Sequence, residues 1–167
     1  MKKFYLAMTL LFLCFTSAFA ASSKKKADKD TQQWRYEIAC DGVGTQGTYL
    51  VKVWSYSKKQ ATAANQAVKN AVHGVLFKGV AGKSGECTSK NPLVSSPAVQ
   101  QDHADFFDKF FAEGGDYARY ASVVGVPESV KIGKEYKVGV TVSVYKDQLR
   151  KDLEKAGIIK PLGGGIF

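Results

Sequence analysis

The run Trp34-Arg-Tyr-Glu-Ile-Ala-Cys-Asp-Gly-Val-Gly-Thr-Gln-Gly-Thr-Tyr-Leu-Val-Lys-Val-Trp-Ser-Tyr56 decides the fold. Its first part alternates with a period of two. Trp34, Tyr36, Ile38 and Cys40 point one way, and Arg35, Glu37, Ala39 and Asp41 the other, as in a strand with one buried face. From about Thr48 to Tyr56 a second strand has Tyr49, Val51 and Val53 on one side. Leu50, Lys52, Trp54 and Tyr56 occupy its other side. Apolar residues on nearly both faces place this strand inside a sheet, not at its edge. Gly42 to Gly47 joins the two, which predicts an antiparallel hairpin.

Working outward, Ser57 and Gln60 have capping-box spacing and predict that a helix opens there. Ala61, Ala64, Val68, Ala71, Val72, Val75 and Leu76 form its apolar stripe, with Lys58, Lys59, Gln66 and Lys69 on wetter faces. The helix should stop between Phe77 and Gly79. Residues 79–98, punctuated by Gly79, Gly82, Gly85, Pro92 and Pro97, read as a long loop. Asp102 to Glu113 reads as a second helix, with Phe106, Phe107, Phe110 and Phe111 on one broad face that needs a core or a partner to cover it. Tyr117 to Val124 and Glu135 to Lys146 read as two more strands. In the latter, Tyr136, Val138, Val140, Val142 and Val144 alternate strictly with more polar positions. Asp147 caps a last helix, Gln148 to Ala156, with Leu149 and Leu153 inward and Gly157 at its left-handed stop. The expected fold is α+β: an antiparallel sheet of about four strands in the order β-β-α, loop, α-β-β-α, with helices packed on one face.

The chain begins with Lys2 and Lys3, a nearly continuous apolar run from Phe4 to Phe15, and Ala18-Phe19-Ala20. This is the three-part pattern of a secretory signal cleaved after Ala20. A retained anchor is disfavoured because the apolar run falls short of the ~20 residues that cross a bilayer. Lipidation at Cys14 is disfavoured because Leu13 is not small. The expected organisation is a signal peptide at 1–20, a lysine-rich linker at 21–33, a single α+β domain at 34–157 and a flexible tail at 158–167. No transmembrane segment is expected after cleavage. The expected location is the periplasm or the exterior, with outer-membrane association left open.

Nearly half of the formal charge of +9 sits in residues 1–30. Residues 24–30 hold four lysines against two aspartates, and residues 31–167 retain only +5. That modest balance, together with export, argues against a nucleic-acid partner. With the signal removed, Cys40 and Cys87 are the remaining cysteines. An exported pair reads as a disulfide, the alternative being a buried thiol at Cys40 and a free loop thiol at Cys87.

Asp41-Gly-Val-Gly44, the apolar strand after it, and Ala61, Ala64, Ala67 and Ala71 along a helix resemble a group of exported bacterial envelope domains. The N-terminal domain of flagellar assembly protein T and its relatives among secreted lipoproteins have this pattern. The strand Tyr136 to Val144 running into the Leu149/Leu153 helix is similar too. The resemblance covers residues 34–77 and 135–156. It lacks the lipidation cysteine, and the Phe-rich helix lies outside it. It implies interaction and assembly in the envelope, and it brings no catalytic residues.

The chemistry of the residues points the same way. Gly42-Val-Gly44-Thr-Gln-Gly47 is a literal G-x-G-x-x-G, but a strand and not a helix follows it, so the glycines read as turn formers and not as a dinucleotide cradle. His73 reads as a helix-end residue compatible with the dipole. Asp102, His103 and Asp105 read as solvated first-turn groups, since only two of them could converge on a metal. Glu113, Asp116 and Glu128 lack the spacing of paired acid–base carboxylates. No catalytic, cofactor or metal site is expected, and the chain reads as a non-enzyme. Its expected role is an interaction or assembly module that binds an envelope protein or surface component through Phe106, Phe107, Phe110 and Phe111 or the loop before them. The alternative is a periplasmic binder of small ligands or glycans, using an aromatic patch drawn from Trp34, Tyr36, Trp54, Tyr56, Tyr117 and Tyr120.

Overall fold

The computed structural model describes residues 34–96 and 98–161. The signal-peptide and linker readings and the end of the tail lie outside them. Strands β1 (Tyr36–Cys40) and β2 (Tyr49–Ser57) are followed by helices α1 (Gln60–Asn65) and α2 (Ala67–His73). A π-helical turn, Gly74–Lys78, ends that helical run. After a long connection come α3 (Ala98–Asp102), α4 (Ala104–Phe110), a 3₁₀ turn (Asp116–Tyr120), β3 (Ala121–Ile132), β4 (Glu135–Val144) and α5 (Lys146–Lys155). The four strands form one antiparallel sheet in the order β1-β2-β4-β3. This is the α+β architecture expected from the sequence, and β2 is interior, paired on both sides.

Period-two alternation fixes the register. Tyr36, Ile38 and Cys40 lie opposite Ser55, Val53 and Val51, and these in turn lie opposite Val138, Val140 and Val142. One face of the sheet is therefore a valine floor, fully buried beneath Ala63, Ala67, Ala71, Val72, Val75 and Leu76 of the helical run. Small alanines allow the close approach, and burying one valine or leucine side chain contributes about 2 kcal/mol. Leu149 and Leu153 of α5 and Phe107 and Phe110 of α4 complete the same core.

The helical run departs from the expected stripe at several places. It starts at Gln60, because Ser57 is still paired in β2; the Ser57 hydroxyl accepts from the Lys59 amide, and no side chain caps the first turn. Ala61 is exposed, whereas Thr62, Gln66, Lys69 and Asn70 are buried. A second layer explains the exchange. The 3₁₀ turn packs over α2, and Lys69 lies over the Tyr117 ring at 5.7 Å, so positions that read as wet are roofed over. Asn70 meets this burial by donating to the Ser55 hydroxyl at 2.8 Å.

Three further expectations are corrected. The helix read at 102–113 is two short helices broken at His103, whose backbone (φ −117, ψ 36) leaves the helical region. Residues 117–120 are 3₁₀, not strand, because Tyr117 packs on Phe111 and Tyr120 on Phe110 instead of pairing in the sheet. β3 then runs on to Ile132, through a bulge between Val124 and Glu128 that the sequence masks with Gly125 and Pro127. At the C-terminus, Gly157 (φ 71) closes α5 as expected, with its amide and that of Ile158 capping the Glu154 and Leu153 carbonyls. Ile158 is buried, so the folded unit reaches beyond the boundary read at 157.

Candidate functional site

The Phe-rich segment serves mainly the core. Phe107, Phe110 and Phe111 are buried, and only Phe106 is half-buried at the rim, stacked on Phe110. The expected binding face is thereby corrected: its rings interlock with Phe77, Trp34, Tyr117 and Tyr120, and little apolar area is left to present. A depression of about 710 Å³ beside it is floored by Phe107 and Phe111 and rimmed by Lys69, Asp108 and Glu113.

Cys40 and Cys87 form a disulfide, with Cα atoms 6.3 Å apart. The bond ties the 79–90 segment to the edge of β1, where the Cys40 amide donates to the Ala81 carbonyl at 2.7 Å. Beneath the Gly42–Gly47 loop and the disulfide lies a cavity of about 280 Å³ lined by Leu50, Val51 and Val80. Gly42 (φ 117) and Gly47 (φ 80) take the left-handed backbone that the connection requires, in accord with the turn-former reading.

His73 ends α2, as read from the sequence, but carries no charge there to favour the dipole. It is buried, stacked on Trp34 with ring centroids 3.5 Å apart, and paired through Nδ1 with the Tyr36 hydroxyl at 2.6 Å. Burial first, and the Lys78 ammonium second, hold its pKa down at about 3, so the ring is neutral. Asp102, His103 and Asp105 lie at the surface, and among the described residues no three His, Cys, Asp or Glu side chains converge as a metal cluster. Glu128 pairs with Lys52 at 2.6 Å and Asp116 with Arg119 at 3.1 Å.

Among the described residues no helix covers the second face of the sheet, whose β2 side chains are only half-buried. Trp54 lies flat over Gly139, where a Cβ would meet the ring at 2.6 Å. Lys52 and Lys137 flank this ring at 5.5 and 5.2 Å, and each is tied to a carboxylate, Glu128 and Glu37 respectively. Glu37 also accepts from the Tyr56 hydroxyl, and the hydrogen bonds from Lys137 first and Tyr56 second lower its pKa. The lysine stems cover the aromatic surface while their charges are matched, which is how a solvated sheet face is made. The six aromatics therefore do not form one patch. Tyr117 and Tyr120 belong to the second layer, and Trp34, Tyr36 and Tyr56 line an open groove of about 580 Å³ with Arg35, Glu135 and Ile132.

What remains apolar and uncovered is concentrated elsewhere. The large apolar side chains exposed among the described residues are Val43, Val123, Val124, Val126, Val130 and Ile132, and all but Val43 lie on β3. Val126 is 86% exposed, Val130 56% and Ile132 53%. β3 is an edge strand paired only with β4, so its outer row of amides and carbonyls faces no other strand among the described residues. This site is not legible in the sequence because the bulge and Pro127 break the alternation that would announce a strand. The surviving signal was Val123-Val124 followed by Val130 and Ile132, close before the Gly133 turn.

Comparison of the chain with protein-family models, with curated proteins and with solved structures finds no match in any of the three. No helix among the described residues is long and apolar enough to cross a membrane.

Proposed function

We propose that this protein is an exported, non-enzymatic interaction module of the cell envelope, and that it docks its partner along the outer edge of β3. The observation that carries the reading is the coincidence of an unpaired strand edge with nearly all of the exposed large apolar side chains. Such an edge recruits an extended segment through main-chain hydrogen bonds, with alternate side chains setting specificity. Signal cleavage after Ala20, the disulfide and the resemblance to flagellar assembly protein T domains support the compartment and the assembly role. A second reading, a binder of small ligands or glycans, is favoured by the Trp34/Tyr36/Tyr56 groove.

The double variant Val130→Glu/Ile132→Lys tests the first reading. Across β4 each new charge faces an opposite one, Lys137 and Glu135, so the hairpin is retained while the apolar edge is lost. The mature chain should capture a defined envelope protein at low and high salt, and the variant should capture it at least about tenfold less (~1.4 kcal/mol). Undiminished capture by a folded variant removes the edge from the account. Undiminished capture by the edge variant, with loss in Tyr56→Ala, favours the groove.

A further inference from the structure

The β3 edge is divided by its own sequence. Pro127 has no amide to donate, and the register shift between Val124 and Glu128 interrupts the ladder there. Gly133 (φ 58) turns the chain away at the other end. Between them lies a five-residue strand, Glu128-Ser-Val-Lys-Ile132, whose side chains alternate across the sheet. Glu128, Val130 and Ile132 share the helix-free face, opposite Gly139, Lys137 and Glu135, while Ser129 and Lys131 are on the other.

We propose that this segment pairs antiparallel with the same segment of a second copy of the chain, about a two-fold axis through Val130, so that two four-stranded sheets join into one. The inference rests on the edge-docking reading above and names its occupant. Full antiparallel overlap of a five-residue segment with itself centres on its middle residue. Side-chain alternation requires paired residues to share a face, which allows axes on residues but not between them. An axis on Lys131 sets two ammonium groups against each other, and an axis on Ser129 sets Lys131 against Pro127, which cannot complete the ladder. The axis on Val130 sets Val130 against its own copy, Ser129 against Lys131 and Glu128 against Ile132. No like charges meet. Glu128 enters the contact already neutralised by Lys52, so Ile132 of the other copy covers no unpaired charge. The contact is isologous, as two-fold dimers require, and short, so the dimer is concentration-dependent and not obligate.

Cross-linking tests the register and sedimentation tests the state, both on the oxidised mature chain, whose two native cysteines are already bonded to each other. Directly opposite residues in an antiparallel pair have Cα atoms about 4.5–5.5 Å apart, within disulfide range. Val130→Cys should therefore give a disulfide-linked dimer at a rate at least about tenfold above Ser129→Cys, whose copies lie beyond disulfide reach in this register. Wild type should show a sedimentation coefficient rising with concentration. Val130→Glu, which sets two carboxylates on the axis and keeps Lys137 as a cross-strand neighbour, should stay monomeric with unchanged near-ultraviolet circular dichroism. A wild type that is monomeric throughout, or Val130→Cys linking no faster than Ser129→Cys, overturns the proposal. If the dimer is absent while the double edge variant still loses its envelope partner, the occupant is wrong and the docking edge stands; if both measurements fail, the edge reading falls as well.

Discussion

Replacing Cys40 and Cys87 together with alanine should lower the unfolding free energy of the domain by about 4 kcal/mol. The cysteines are 47 residues apart, and releasing a loop of that size restores its closure entropy to the unfolded chain. For a domain of this length the midpoint of thermal unfolding should fall on the order of 10 °C. The loss has a local part too. Without the bond, the 79–90 segment keeps its place by backbone contacts such as Cys40 amide to Ala81 carbonyl and Gly79 amide to Gly74 carbonyl, so its amides should exchange faster than those of β2 and β4. A urea midpoint unchanged by reductant contradicts this, as do two reactive thiols in denatured, unreduced protein.

Acid should destabilise the protein already between pH 6.5 and 5, through one buried histidine. In the unfolded chain His73 takes up a proton near pH 6.5, whereas in the folded chain burial delays that uptake to about pH 3. Between those values only the unfolded state binds the proton. Stability is therefore complete above about pH 6.5 and falls as the pH drops, by roughly 1 kcal/mol per pH unit. Glu37, whose folded pKa is lowered by Lys137 and Tyr56, adds its own loss only below the carboxylate range near 4.5. Denaturation curves between pH 6.5 and 5 isolate the histidine. His73→Gln, which keeps a hydrogen-bond partner for the Tyr36 hydroxyl, should be less stable at pH 7 but nearly flat across that interval. Equal slopes in the two proteins contradict the buried, neutral ring.

The parts of the fold that were legible are those where periodicity and burial agree. Val51, Val53 and Ser55 against Val142, Val140 and Val138 announce two neighbouring strands because every second residue is buried. Gly157 marks a helix stop because a left-handed residue is needed there. Legibility fails where a second layer changes what is inside. Lys69 reads as solvated, yet the 3₁₀ turn roofs it, and nothing local to α2 encodes that cover. Tyr117 and Tyr120 have strand propensity, but their rings stack on Phe111 and Phe110, so tertiary packing overrides local preference.

The candidate site divides along the same line. A phenylalanine cluster looks like a docking face in one dimension, and three of its four rings are core in three. The docking edge is hidden for the opposite reason. Gly125, Val126 and Pro127 look like a loop, yet they form a bulge inside a long strand, and the same bulge leaves Glu128–Ile132 as a free edge of defined length. The disulfide was legible because few cysteines leave few pairings.

Site-specific photo-cross-linking in cells tests the claim that the β3 edge is where this protein meets its partner. A benzoylphenylalanine side chain is placed at Ile132 or, as control, at the exposed Lys151 of α5. The account predicts discrete adducts in the envelope fraction from position 132 and none from position 151. Adducts that are absent at position 132, or no stronger there than at position 151, contradict it.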